Sequence, residues 1–295
     1  METMFLGPQG VRTGWRAAFY VALFLLFLLT LQLLALLVHI PLVTRADMIT
    51  PATLAIQELL SVVSAVAATL MMSRIEGRPF GEYGMFWREA LRGNFWKGTI
   101  WGISGVSILM LLMCALGGYS FGTLALNGSA VVSYALAWAG TFLLVAVFEE
   151  FFFRGYVQFT LASGMRFWSA AVLTSVAFGI VHLRNAGEGP VGALSVFVTG
   201  MFLCLTLRRT GNLWFAIGWH AAFDFGETFL YSVPDSGIVF PGHLLASSFH
   251  GPRWLTGGTV GPEGSVLDFV VLAALALAFH CVYGRAERDN SAGPS

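Results

Sequence analysis

The chain has 295 residues, 57% of them hydrophobic and only 11% charged, against roughly 25% charged in soluble globular domains. This composition excludes a soluble enzyme. Lys+Arg and Asp+Glu are equal at 16 each, so net charge offers no basis for nucleic-acid or acidic partners. The chain reads as an all-α, polytopic membrane helix bundle of about eight transmembrane helices, a single transmembrane domain over 1–295 whose surroundings are membrane lipids.

Eight spans are predicted, at 17–43, 52–73, 98–118, 131–161, 167–183, 190–207, 213–231 and 265–283, broken at residues such as Pro41, Pro190 and Gly211. The first is longer than the roughly 7–15-residue core of a signal peptide and reads as a retained anchor. Thirteen Lys/Arg fall on the N-terminal side of the membrane, against Arg45, Arg184 and Arg253 on the other. This bias predicts an integral membrane protein with both termini cytoplasmic, and the short chain suits a bacterial inner membrane. Residues 75–94, basic and aromatic, read either as a segment lying on the cytoplasmic surface or as an ordinary positive-inside loop. Glu58, near the start of the second span, reads as reaching the outer interface. Trp15, Trp101 and Trp254 are candidates for an interfacial belt. Residues 232–264, rich in Gly and Pro, are expected to cover part of the outer face. Cys114, Cys204 and Cys281 have no metal-type spacing and read as buried free thiols.

The fourth span carries Phe148-Glu149-Glu150-Phe151-Phe152-Phe153-Arg154. Each such charge costs about 2.5–3.5 kcal/mol at a bilayer centre, so their retention points to use. Glu150 and Arg154 are four residues apart on one helical face and are expected to pair structurally. Glu149 lies about 100° round the helix and is expected to point elsewhere, as a free functional carboxylate. The fifth span ends in Phe178-Gly179-Ile180-Val181-His182, and the seventh holds His220 and Asp224 at i and i+4, with Glu227 a candidate to extend that polar stripe. Offsets from the span ends give depths of roughly 18, 23 and 11 Å for Glu149, His182 and His220, so one site near mid-membrane is sterically feasible.

An unpaired carboxylate in low dielectric can serve as general base towards water, with a neutral imidazole sharing the proton. A second His with a neighbouring polar group can steady an oxyanion. The same Glu/His/His/Asp set can instead hold a divalent metal that activates water. Both routes lead to hydrolysis. No His-Glu-x-x-His or Gly-x-Ser-x-Gly motif stands in the spans. A proton-coupled transporter using these groups as a relay is an alternative, although no inverted repeat is visible. A non-catalytic membrane factor, an immunity or secretion partner, is another.

The three motifs, in order and each inside a span, resemble those of the CAAX protease and bacteriocin-processing family (CPBP, also called Abi), which includes the type II prenyl endopeptidase. Glu149-Glu150-x-x-x-Arg154 is similar to the family's Glu-Glu-x-x-x-Arg, Phe178-x-x-x-His182 to its Phe-x-x-x-His, and His220-x-x-x-Asp224 to its His-x-x-x-Asn/Asp. Arg209-Thr210-Gly211-Asn212-Leu213-Trp214 also resembles the family's approach to the last motif. The likeness covers 148–225, within a core at 131–231.

The resemblance implies a bundle whose intramembrane polar cavity opens to the cytoplasm and an intramembrane protease cleaving membrane-associated peptides or proteins. It implies that Glu149 and His182 activate water, and that His220 and the residue at Asp224 stabilise the oxyanion, with Glu150 and Arg154 supporting. The family has been described both as metalloprotease and as metal-free glutamate protease. A Zn2+ held by Glu149, His182, His220 and Asp224 is thus one implied form. Where the prenyl protease has Asn, this chain has Asp224; Asn donates a hydrogen bond outright, whereas Asp donates only when protonated.

Overall fold

The computed structural model describes the backbone of residues 6–7, 10–43 and 49–291, and the side chains of 11–43 and 49–284. Arg45 and the chain ends, part of the orientation argument, lie outside the described residues. In chain order the helices are α1 (Thr13–Leu37), α2 (Pro51–Glu76), α3 (Gly93–Ala115) and α4 (Ser129–Glu149). A π-helical turn (Glu150–Val157) carries α4 into α5 (Gln158–Ala162). There follow α6 (Phe167–His182), α7 (Pro190–Thr210) and α8 (Trp214–Phe225), which a second π-helical segment (Gly226–Leu230) extends. The short α9 (Arg253–Thr256) and α10 (Val266–Ser291) complete the series.

Helix stands at each of the eight predicted spans. Among the described residues, six segments are long and apolar enough to cross a membrane; α6 and α8, at 16 and 12 residues, are shorter. The fold is an all-α membrane helix bundle. Among the described residues, strands are limited to two small ribbons, β1 (Leu6–Gly7) with β2 (Gly10–Val11) and β3 (Tyr119–Ser120) with β4 (Ser248–Phe249).

Local chemistry sets the boundaries. Thr50 and Thr53 form a reciprocal cap at the start of α2, with Pro51 in the first turn, where no N–H is needed. α1 ends at Leu37, short of the predicted 43, as His39 turns to φ +58° ahead of Pro41. α7 stops at Gly211, whose φ of +75° suits a residue without Cβ.

The tightest crossing joins α3 to α8, the helix that carries His220 and Asp224. A Cβ at Gly98 would fall 2.1 Å from the Phe215 carbonyl oxygen, and one at Gly218 would fall 2.1 Å from that of Phe95. Small residues on both partners let the backbones touch, a common solution where lipid offers no hydrophobic drive. Gly98→Ala is therefore expected to push α8 outward, costing about 1–3 kcal/mol and lowering Tm and activity together. Gly140→Ala, where a Cβ meets nothing within 4 Å, is the matched control and should leave both unchanged.

Between α2 and α3 the basic, aromatic stretch within residues 75–94 forms two short 3-10 turns, Phe80–Tyr83 and Trp87–Glu89. Tyr83 and Met85 are buried, whereas Phe86, Trp87, Arg88, Leu91 and Arg92 are exposed. The reason is a polar tie at the bundle's end. Glu76 accepts from Arg16 Nε at 2.9 Å and from the Tyr83 hydroxyl at 3.2 Å, and also bonds the Tyr156 hydroxyl. Burial, reinforced by Glu76, pushes the Tyr83 hydroxyl up to about 12. Beside this tie, Val11, Trp15, Phe19, Met72 and Ile75 help line a cavity of about 640 Å³.

At the opposite end, residues 232–264 fold over the bundle. Phe240 packs against Trp138 and Phe142, Trp138 Nε1 donates to the Pro241 carbonyl at 3.1 Å, and β4 pairs with β3. Trp15 and Trp254 are exposed as an interfacial belt requires, but Trp101 packs against Phe215 and Phe279. All three cysteines are free thiols; Cys204 is buried, whereas Cys281 is exposed rather than buried as predicted.

Candidate active site

The aromatic residues of the charged run fasten it to its neighbours. Phe152 lies 4.7 Å from Phe24 of α1 by ring centroids, Tyr156 stacks on Tyr20 at 4.2 Å, and Phe151 meets Phe80 at 5.4 Å. Phe153 meets Phe178 of α6 at 5.1 Å. Here the α-helix widens into the π-helical turn, which kinks at Gly155 with ψ −111°. Such π segments recur at functional sites because they re-aim side chains within a helix.

Glu150 and Arg154 pair as expected, Nη1 to Oε1 at 3.0 Å, and both side chains are wholly buried. The same Glu150 oxygen accepts from Nδ1 of His220 at 2.9 Å. On the other edge of that imidazole, Nε2 lies 3.6 Å from Glu149 Oε2 and 3.4 Å from Asp224 Oδ2. The two adjacent glutamates, expected to diverge, thus converge on one ring, because His220 enters from α8 into the gap between them. Glu150 is consequently more than half of an ion pair: it also holds His220. Glu149 Oε2 is buried with no hydrogen-bond partner, while the side chain as a whole stays 20% exposed, against 10% for His220 and 12% for Asp224. It is the most accessible carboxylate of the group.

His182 joins through Phe178. Its Nδ1 bonds the Phe178 carbonyl at 2.8 Å; a carbonyl only accepts, so Nδ1 carries the proton and Nε2 of the neutral ring is the acceptor. The Phe178 ring packs 4.6 Å from the His182 ring and 6.2 Å from that of His220, and the Arg154 guanidinium lies 4.0 Å over its face. Among the described residues His182 makes no hydrogen bond to Glu149.

Further contributors escape sequence reasoning. A Cβ at Gly200 of α7 would fall 2.7 Å from Arg154 Nη2 and 2.8 Å from Ser175 Oγ, so this glycine makes room for the guanidinium. Glu58 of α2 turns a buried Oε2 inward, without a hydrogen-bond partner. A lone polar residue within a long apolar span was the available signal. Glu227 does not extend the stripe at His220; it turns to Asp235 and Glu263.

The Zn2+ expectation can be tested on this geometry. Zinc ligands lie about 2.0–2.2 Å from the ion, so its donors sit within about 4.4 Å of each other. Among the described residues, only Glu227, Asp235 and Glu263 bring three donor atoms of His, Cys, Asp or Glu within 4.8 Å of one another. Glu149, His182, His220 and Asp224, as arranged, do not form such a group.

A partly exposed carboxylate, an imidazole held between acidic groups and a buried guanidinium thus meet within residues 149–224. Residues 131–226 match the Rce1-like family, described as type II CAAX prenyl endopeptidase Rce1-like. The Rce1-like match contains all three motifs and is the family they resemble. At family level it supports an intramembrane CAAX-type protease. No curated protein matches the chain.

Proposed function

We propose that the chain is an intramembrane endopeptidase that hydrolyses peptide bonds of membrane-associated substrates, CAAX-like or other, with Glu149 activating the water. The observation that carries this reading is the convergence of Glu149, Glu150 and Asp224 on the two nitrogens of His220. Glu149, with an unpartnered oxygen, takes a proton from water. The resulting hydroxide attacks the scissile carbonyl carbon, and the proton passes to the leaving amine nitrogen. His182 offers Nε2 to share that proton. His220, anchored at Nδ1 by Glu150, presents Nε2–H to the developing oxyanion. Glu150 and Arg154 position His220. The core at 131–231 carries the chemistry, and the thirteen-to-three basic bias supports termini facing the cytoplasm of a bacterial inner membrane.

Asp224 stands where the prenyl protease has Asn, and in this reading it donates in its protonated form. Asp224→Asn should then keep activity within about tenfold, while Asp224→Ala should lose about 10²–10³. A loss in the Asn variant as large as in Ala would remove the donor role.

The direct test uses purified full-length protein in proteoliposomes with quenched peptides, prenylated and plain. Cleavage that persists in 1,10-phenanthroline is expected. Zinc found by elemental analysis, with activity abolished by the chelator, would replace the glutamate mechanism by a metal one. Proton flux dependent on Glu149, without cleavage, would favour a transporter.

A further inference from the structure

Three residues beyond Asp224, the helix passes into its π-helical segment and Glu227 faces the loop at 232–264. Glu227 is wholly buried, and both of its carboxylate oxygens lack any hydrogen-bond partner. Its neighbours are two more acids. One carboxylate oxygen from each of Glu227, Asp235 and Glu263 lies within 4.8 Å of the others. Asp235, also buried, accepts from the Thr228 hydroxyl at 3.2 Å, and Glu263 Oε2 accepts from the amide and hydroxyl of Ser236 at 2.6 and 2.8 Å. Those bonds orient two of the three acids and leave Glu227 unsatisfied between them. None of the ion pairs among the described residues involves any of the three. Like charges so close, away from water, are unfavourable unless a proton or a cation offsets them.

We propose that Glu227, Asp235 and Glu263 bind a single Ca2+ ion at the loop end of α8. Three carboxylates are a hard, all-oxygen donor set, which suits Ca2+ or Mg2+ and not zinc, with its preference for His and Cys. Coordination habit then favours Ca2+, which takes several protein carboxylates, over Mg2+, which keeps several waters and is usually held by one or two carboxylates. Ca–O distances of about 2.3–2.6 Å separate opposite ligands by about 4.6–5.2 Å, whereas Mg–O distances of about 2.0–2.1 Å allow only about 4.0–4.2 Å. Donor oxygens within 4.8 Å of one another are compatible with Ca2+. The ligands come from the end of the α8 helix, from the loop, and from just before α10, so the ion fastens the loop over the helix that carries His220. The site is separate from the His220 cluster and does not depend on the peptidase reading.

The test uses full-length protein in detergent, stripped with EGTA, with 45Ca2+ binding by equilibrium dialysis and Tm as readouts. One saturable Ca2+ per chain is expected, and Ca2+ near one hundred times its Kd should raise Tm by roughly 5–10 °C. Glu227→Gln should lose the ion and the Tm increment, while Glu149→Ala should keep both. Glu263 is only partly buried, so Glu263→Gln should fold even if Glu227→Gln does not, and should weaken binding at least tenfold. Absence of saturable binding, binding indifferent to Glu263→Gln, or binding lost in Glu149→Ala but kept in Glu227→Gln would overturn the proposal; the last would locate the ion at His220.

Discussion

Glu149→Gln is expected to lower kcat for peptide cleavage by about 10²–10⁴, the usual contribution of a positioned general base, while leaving Tm within about 1 °C of wild type. The amide matches the carboxylate in size but cannot accept a proton from water. Stability should be spared because Glu149 has little to lose: its Oε2 has no hydrogen-bond partner and stands 3.6 Å from His220 Nε2. Measuring cleavage and thermal unfolding on the same preparation separates this variant from one that merely folds badly. Activity near wild type would sink the assignment of Glu149 as base.

Arg154→Met is expected to do the reverse, destabilising the protein by about 3–5 kcal/mol, the usual effect of stripping one partner from a buried pair. Arg154 and Glu150 are both wholly buried and 3.0 Å apart. Without the guanidinium, Glu150 keeps only His220 as partner, and the face of Phe178 loses its cation. The double variant Glu150→Gln/Arg154→Met should regain most of that stability, because no uncompensated charge remains inside. It should stay impaired in cleavage, because a neutral amide is a weaker anchor for His220 Nδ1. A single variant as stable as wild type would show that the pair does not hold the site together.

The motifs and the pairing of Glu150 with Arg154 were legible because they depend on local geometry: four residues bring side chains to one face whatever surrounds the helix. The positions of the eight helical segments were legible for a similar reason, since apolar runs broken by Pro and Gly mark where helices begin and end. Where Glu149 points was not legible, because a regular helix gives it a direction about 100° from Glu150 but no information on what arrives from α8. The π-helical turn and the room that Gly200 leaves for Arg154 have no signature in spacing either. The inward turn of Tyr83 within residues 75–94 was likewise not legible: it depends on the hydroxyl's bond to the half-buried Glu76 of α2.

By itself, then, the amino-acid order determined an all-α membrane bundle and the positions of its helical segments, and it singled out the candidate site residues, since these follow from hydropathy and helical periodicity. Only the tertiary structure decided that Glu149, Glu150 and Asp224 share one imidazole, that His182 is linked to them through Phe178, and that Glu227 leaves them for Asp235 and Glu263. Those relations join residues up to 75 positions apart, as between Glu149 and Asp224. They are set by how helices cross and where small residues let them approach, which no local pattern encodes.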